Sequence, residues 1–308
     1  MKVFEDRRKL HREILRHWML YIMLVPCVVW FIIFAYVPMT GLLLAFKEFH
    51  FTKGILESPW VGFKYFENFF NYFERDILIR NTLVIGFFKT VVAFPFPVVF
   101  ALMLNEVRSS GFKKLTQTVS YLPHFISWAV VAALLMRLLA PDTGLINQVK
   151  GIWGLDKSTF YLMEEKYFYY IMFFSHLWKT IGWDSIIYLA AISGINPELY
   201  EAAIIDGAKK LKQVWHITIP SIKFTMGIIL IMSIGNIIKT GFEQVYLLRT
   251  PGNMRVADIL DTYVIRVGIQ QGEYGYATAI GLLTGMVALF MVIFTNKVCK
   301  KYFEVYIW

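Results

Sequence analysis

The chain has 308 residues, 57% of them hydrophobic and only 17% charged, with a formal net charge of +9. That length would hold two soluble domains, but apolar runs longer than about 18 residues exclude them and make this an integral membrane protein. No basic cluster stands in a soluble domain, which argues against nucleic acid. The two distant cysteines, Cys27 and Cys299, imply neither a disulfide framework nor a metal site.

Six spanning helices are predicted, an all-α membrane fold occupying residues 18–298 between an N-terminal tail (1–17) and a C-terminal tail (299–308). The first lies within the charge-free stretch from His17 to Phe46, kinked or ended near Pro26 and Pro38. It is too long for a signal-peptide core and lacks a small-residue cleavage signal, so an uncleaved anchor is expected. The second runs from about 82 to 104, with Lys89 inside it and Pro95 and Pro97 bending it. Residues 115–136 contain the third and carry no charge. The fourth covers about 168–192, interrupted by Lys179 and Asp184. The fifth covers about 221–242, and the sixth lies within 274–296.

Loop charge sets the orientation. The two tails with segments 105–119 and 194–223 carry 15 Lys/Arg against 8 Asp/Glu; loops 47–80, 138–166 and 243–273 carry 11 against 13. Both termini and the 194–223 segment are therefore expected in the cytoplasm.

Between the fourth and fifth spans lies a polar, amphipathic island, EAAIIDGAKKLKQVWHITIP, at 201–220. Asn196 and Pro197 read as cap and first residue of a short helix with Leu199, Ala202 and Ala203 on one face. Gly207 is predicted to turn the chain in the left-handed conformation. A second short helix follows, with Ala208, Leu211 and Trp215 on one side and Lys209, Lys210 and Gln213 on the other. Pro220 is expected to close it. Such a corner suits either docking into a partner's groove or lying on lipid headgroups.

Glu201, Ala202, Ala203, Asp206, Gly207, Ala208 and the closing Ile219-Pro220 resemble the EAA motif of permease subunits of bacterial ATP-binding-cassette importers. LVPCVVWFIIFAYVPMTGLLLAFKEF, SPWVGFKYF, YLPHFISWAVVA, LWKTIGWDSIIYLAAI and ADILDTYVIRVGIQQGEYGYATAIGL resemble a branch of sugar permeases that handles complex oligosaccharides and polysaccharide fragments. The likeness runs from about residue 18 to 300. It implies a type I importer permease fold in the bacterial cytoplasmic membrane, with residues 196–220 as coupling helices seated in an ATPase subunit. It further implies a second homologous permease, two copies of a cytoplasmic ATPase and an external solute-binding protein that delivers the oligosaccharide. ATP and Mg would be bound by the ATPase subunits; no cofactor, metal or catalytic residue is expected in this chain.

In related permeases the helices flanking the coupling loop line the cavity, which puts Trp178 or Trp183, Tyr188, Ser233 and Asn236 on the substrate path. Lys179 pairs with Trp183, and Thr180 with Asp184, at i, i+4 on the fourth span, where a charge faces a cavity or a partner. The other reading of Lys179 is an ion pair, with Asp184 or another subunit, that fixes packing. Ser233, Asn236, Thr240 and Gln244 make a stripe at i, i+3, i+7, i+11 on the fifth; it suits sugar hydroxyls or plain helix–helix glue. Lys89, Arg137 and Lys239 read as snorkelling side chains.

Two rivals have other chemistry: a polytopic membrane enzyme acting on glycans, and a stand-alone channel. GIWGLDKS at 151–158 only faintly echoes a phosphate loop, since Asp156 stands where glycine is needed. Neither rival has a use for the 201–220 island.

Overall fold

The computed structural model describes residues 16–239 and 241–306. Among them, four helices are long and apolar enough to cross a membrane, or five if one sharply bent pair counts as a single span. The architecture is all-helical. Helix α1 (Trp18–Phe46) is exposed along its first half and packs its last turns, through Ala45, on the C-terminal helix. After a short α2 (Lys64–Phe70) come α3 (Arg75–Glu106), then α4 (Ser110–Phe125) and α5 (Trp128–Leu138). Short α6 (Leu145–Ile152) leads to α7 (Glu165–Ser193), α8 (Pro197–Ile205) and α9 (Lys210–Gly235). The chain ends through α10 (Phe242–Leu248), α11 (Met254–Ala257), α12 (Leu260–Ile265) and α13 (Tyr274–Phe303).

Helix α7 has 29 residues, about 1.5 Å each, enough to span a roughly 30 Å hydrocarbon core. His176, Lys179 and Asp184 make it too polar to count among the four. It is the central element all the same. Tyr188 and Ile192 bury against Val98 and Ala101 of α3 and Ile222 of α9, while Phe168 and Met172 bury against Ile85, Val245 and Leu248. Gly182 allows α4 to lie against it, because a Cβ there would run into the Ser120 carbonyl.

Three expectations are corrected. The third span is not one helix: α4 and α5 meet at 100°. Pro123 cannot donate in the turn Leu122–Phe125, and Ser127 caps the new helix by accepting from the Val130 amide. The fifth span stops at Gly235 rather than running to 242. The chain turns after Asn236 and restarts at α10 beyond Gly241, whose φ of +94° is glycine's territory. Finally, Pro220 closes nothing. It lies inside α9, a continuous helix over Lys210–Gly235, and a wide π turn at Val214–Thr218 immediately precedes it.

Candidate functional site

The corner before α9 is built by local chemistry. The Asn196 side chain accepts from the Glu198 amide at 3.1 Å, Pro197 takes the first helical position, and α8 ends at Ile205. Gly207 then adopts φ +73° with open space where a side chain would stand. The Gln213 side chain donates to the Ala208 carbonyl at 3.0 Å and is buried, so it braces the corner rather than lining its polar face as expected. Tyr200 and Thr218 hydroxyls, 2.9 Å apart, tie α8 to α9.

What the corner presents outward is a mixed surface. Glu201, Ala202, Asp206 and Gly207 are exposed, and Ala203 and Ala208 are half-buried. Around them Ile204, Ile205, Leu211 and Trp215 stand exposed, Ile205 by 86%. Large apolar side chains bordering a carboxylate forfeit their burial energy when left in water.

The second feature is a cavity of about 300 Å3 between α3, α7 and α9. Of the residues predicted on the substrate path, Asp184 and Tyr188 line it from α7, and Ser233 and Asn236 from the end of α9. Tyr188 is buried, its ring edge-on to Phe94 at 6.3 Å. Asn236 is exposed, and among the described residues its side-chain amide makes a long 3.4 Å contact with the Met232 carbonyl.

Trp178, Lys179 and Trp183 are not brought to the cavity wall. Lys179 turns its ammonium toward the α4–α5 break, donating to main-chain oxygens of His124 at 2.6 Å, Pro123 at 3.3 Å and Ile126. The expected pairing with Asp184 and the place on the cavity wall both give way to this arrangement, in which carbonyl groups surround the ammonium. Trp183 stacks on His124 with ring centroids 4.4 Å apart, and Trp178 is exposed on another face. Thr240 lies outside the described residues. Gln244 sits on α10, so the expected stripe is two separate pieces.

The sequence reading missed Lys89. It does not snorkel: it is 8% exposed, lines the cavity, and donates to the Gln244 side chain at 2.7 Å. Gln244 in turn donates to the Met172 carbonyl and to Ser175 Oγ on α7. His176 and Thr180 also reach the cavity. A charge deep inside an apolar run was the available signal for Lys89.

The 151–158 loop holds nothing that suggests phosphate chemistry. Asp156 accepts from the Ser158 amide at 3.0 Å and hydroxyl at 2.8 Å, and these bonds hold its carboxyl below the usual range. The carboxylate serves its own turn. Among the described residues no group of three or more His, Cys, Asp or Glu side chains could hold a metal.

Comparison with known proteins accords with this geometry. Residues 86–301 match the family described as binding-protein-dependent transport system inner membrane component. The chain is 43% identical over 300 residues to the polygalacturonan/rhamnogalacturonan transport system permease protein YteP of Bacillus subtilis, covering 97% of this chain and 93% of that one. Protein LplB of the same organism is 42% identical over 284 residues, covering 92% and 89%. A solved bacterial ABC transporter involved in import of the acidic polysaccharide alginate contains a chain 41% identical, with TM-score 0.89 and coverage of 96% and 99%. The alginate transporter solved with a periplasmic protein bound to an alginate pentasaccharide matches at TM-score 0.90 and 39% identity, covering 97% and 100%. The fold around α7, the exposed corner and these matches lead to one conclusion: the chain belongs to the family of inner membrane components of binding-protein-dependent transport systems.

Proposed function

We propose that this chain forms half of the membrane pathway of an ATP-driven importer for acidic polysaccharide fragments. It would cross the bacterial cytoplasmic membrane six times: α1, α3, the broken α4–α5 pair, α7, α9 with α10, and α13. Both termini and the Asn196–Pro220 corner would face the cytoplasm. A second, related permease would supply the other half of the pathway. Two cytoplasmic ATPase subunits would bind ATP and Mg and receive the Glu201 corner, and an external solute-binding protein would deliver the fragment. This chain contributes no catalytic group and no bound cofactor.

One observation carries the reading: α7 and α9 each have one end at the exposed corner and side chains at the cavity. Movement of the corner is therefore passed to both cavity walls by rigid helices, the physical requirement for alternating access. The acidic substrate class is supported by the substrates named for the relatives, polygalacturonan, rhamnogalacturonan and alginate.

The test is reconstitution of the permease pair, ATPase and binding protein in liposomes, with and without this chain. ATP hydrolysis stimulated by fragment-loaded binding protein, together with uptake, is expected only when the chain is present. Uptake without ATP, or without the ATPase subunits, would instead indicate a channel.

A further inference from the structure

Away from the central cavity, a second cleft of about 560 Å3 opens where α3, α7 and α11 meet. Its size falls within the roughly 300–1,000 Å3 of small-molecule pockets. Arg80, Arg255 and Lys166 line it, with Tyr169 and one carboxylate, Glu165.

A buried amide builds this cleft. Asn81 is 0% exposed and donates to the main-chain oxygens of Arg255 and Asp258, both at 2.9 Å. Its side-chain oxygen accepts from the Tyr169 hydroxyl at 3.1 Å and from Arg80 at 3.2 Å. One side chain thus fixes α3, α7 and α11 against each other and holds the lining groups in register.

The charge is not spent internally. Arg249 and Arg266 nearby share the Asp258 carboxylate, at 3.5 and 2.6 Å. Lys166 pairs with Glu164 at 2.6 Å. Arg80 and Arg255 have no carboxylate within ion-pair distance among the described residues, and both are exposed. Guanidinium groups bind carboxylates in a planar fork, and a tyrosine ring offers the apolar face that a sugar ring stacks on.

We infer that this cleft is an outer subsite for the uronate carboxylates of an incoming oligosaccharide, with Arg80 and Arg255 as its charged contacts and Tyr169 as its stacking face. The inference rests on the acidic-fragment reading and on the orientation proposed above. The cleft lies at the α7 end opposite the corner, so it would receive the sugar before the central cavity does.

The experiment uses the full importer in liposomes, with trigalacturonate and trimannuronate as probes. Uptake is normalised to assembled transporter, and affinity of the empty binding protein is measured separately. Arg255→Gln is expected to lower uptake of the transported acid about ten-fold, as loss of a charge-assisted contact would. Affinity for the empty binding protein stays unchanged. Glu165→Gln, which removes a repulsive carboxylate from the same cleft, is expected to lower the half-saturating concentration of that acid. Unchanged uptake in Arg255→Gln overturns the subsite. So does an equal loss of affinity for the empty binding protein, which would make the cleft a protein-docking surface. A wild type that moves neither acid overturns the acidic-fragment reading, and the subsite with it.

Discussion

Lys179 and His124 are 55 positions apart in sequence, yet the ammonium of one donates to the main-chain oxygen of the other at 2.6 Å. The bond falls at the α4–α5 break, where the helix bends by 100° and the regular run of helical amide-to-carbonyl bonds is interrupted. In a membrane no water replaces them, so the lysine is the donor that makes the break tolerable. The ring of Trp128, the first residue of α5, lies 5.6 Å from the same ammonium.

Lys179→Leu is therefore expected to act on stability and not on substrate choice. Leaving buried carbonyls unpaired costs about 1–3 kcal/mol. Thermal melting of the purified complex should drop while the surviving assembled fraction transports at the normal rate. Lys179→Arg should recover part of the loss. A normal melting curve combined with a changed substrate preference would move Lys179 back to the substrate path.

The corner gives a second prediction. Gly207 has φ +73° and empty space beside it, so Gly207→Asn should be tolerated. A β-branched residue there meets a backbone penalty of about 1–2 kcal/mol. Gly207→Val and Glu201→Lys are each expected to abolish uptake while the chain is still inserted and expressed. Wild-type uptake in both would remove the coupling role from residues 201–208.

Orientation is tested by cysteine labelling in a background lacking Cys27 and Cys299. Cysteines at Leu56 and Trp153, both 78% exposed, should react with an impermeant reagent in intact cells. Cysteines at Gly111 and Lys209 should react only after lysis. Labelling at 209 in sealed cells would invert the proposed topology.

How much could be read from sequence depends on how local the cause is. Asn196, Pro197 and Gly207 were legible because capping, the N1 position and the left-handed turn are set by the residues themselves. Periodicity failed at the end of α9 because it assumes that the helix continues. There the close approach of Gly86 to the Ile237 carbonyl, and the Lys89–Gln244 bond across 155 positions, favour a broken chain. Pro220 misled for a related reason: a π turn accommodates it inside a helix, and no residue pattern announces such a turn. Asp184, Tyr188, Ser233 and Asn236 meet at one cavity, whereas Trp178 and Trp183 had only their helix and residue type to suggest a role.

Asn236 and Gln244, expected on one stripe, should now behave differently. Asn236 caps the end of α9 at the cavity, its amide in a long 3.4 Å contact with the Met232 carbonyl. Gln244 is fully buried and bonded to Lys89, Met172 and Ser175. Removing a sugar-facing hydrogen-bonding group costs about 1–3 kcal/mol in the contact it served, so Asn236→Leu should cut uptake roughly ten-fold with assembly and basal ATP hydrolysis intact. Gln244→Leu strands the buried Lys89 ammonium, and the complex is expected to lose assembly first, with transport falling in proportion. Uptake normalised to assembled transporter separates the two: reduced for Asn236→Leu, near normal for Gln244→Leu. An unchanged normalised rate in Asn236→Leu would assign Asn236 to helix packing and leave the cavity without its most accessible amide contact.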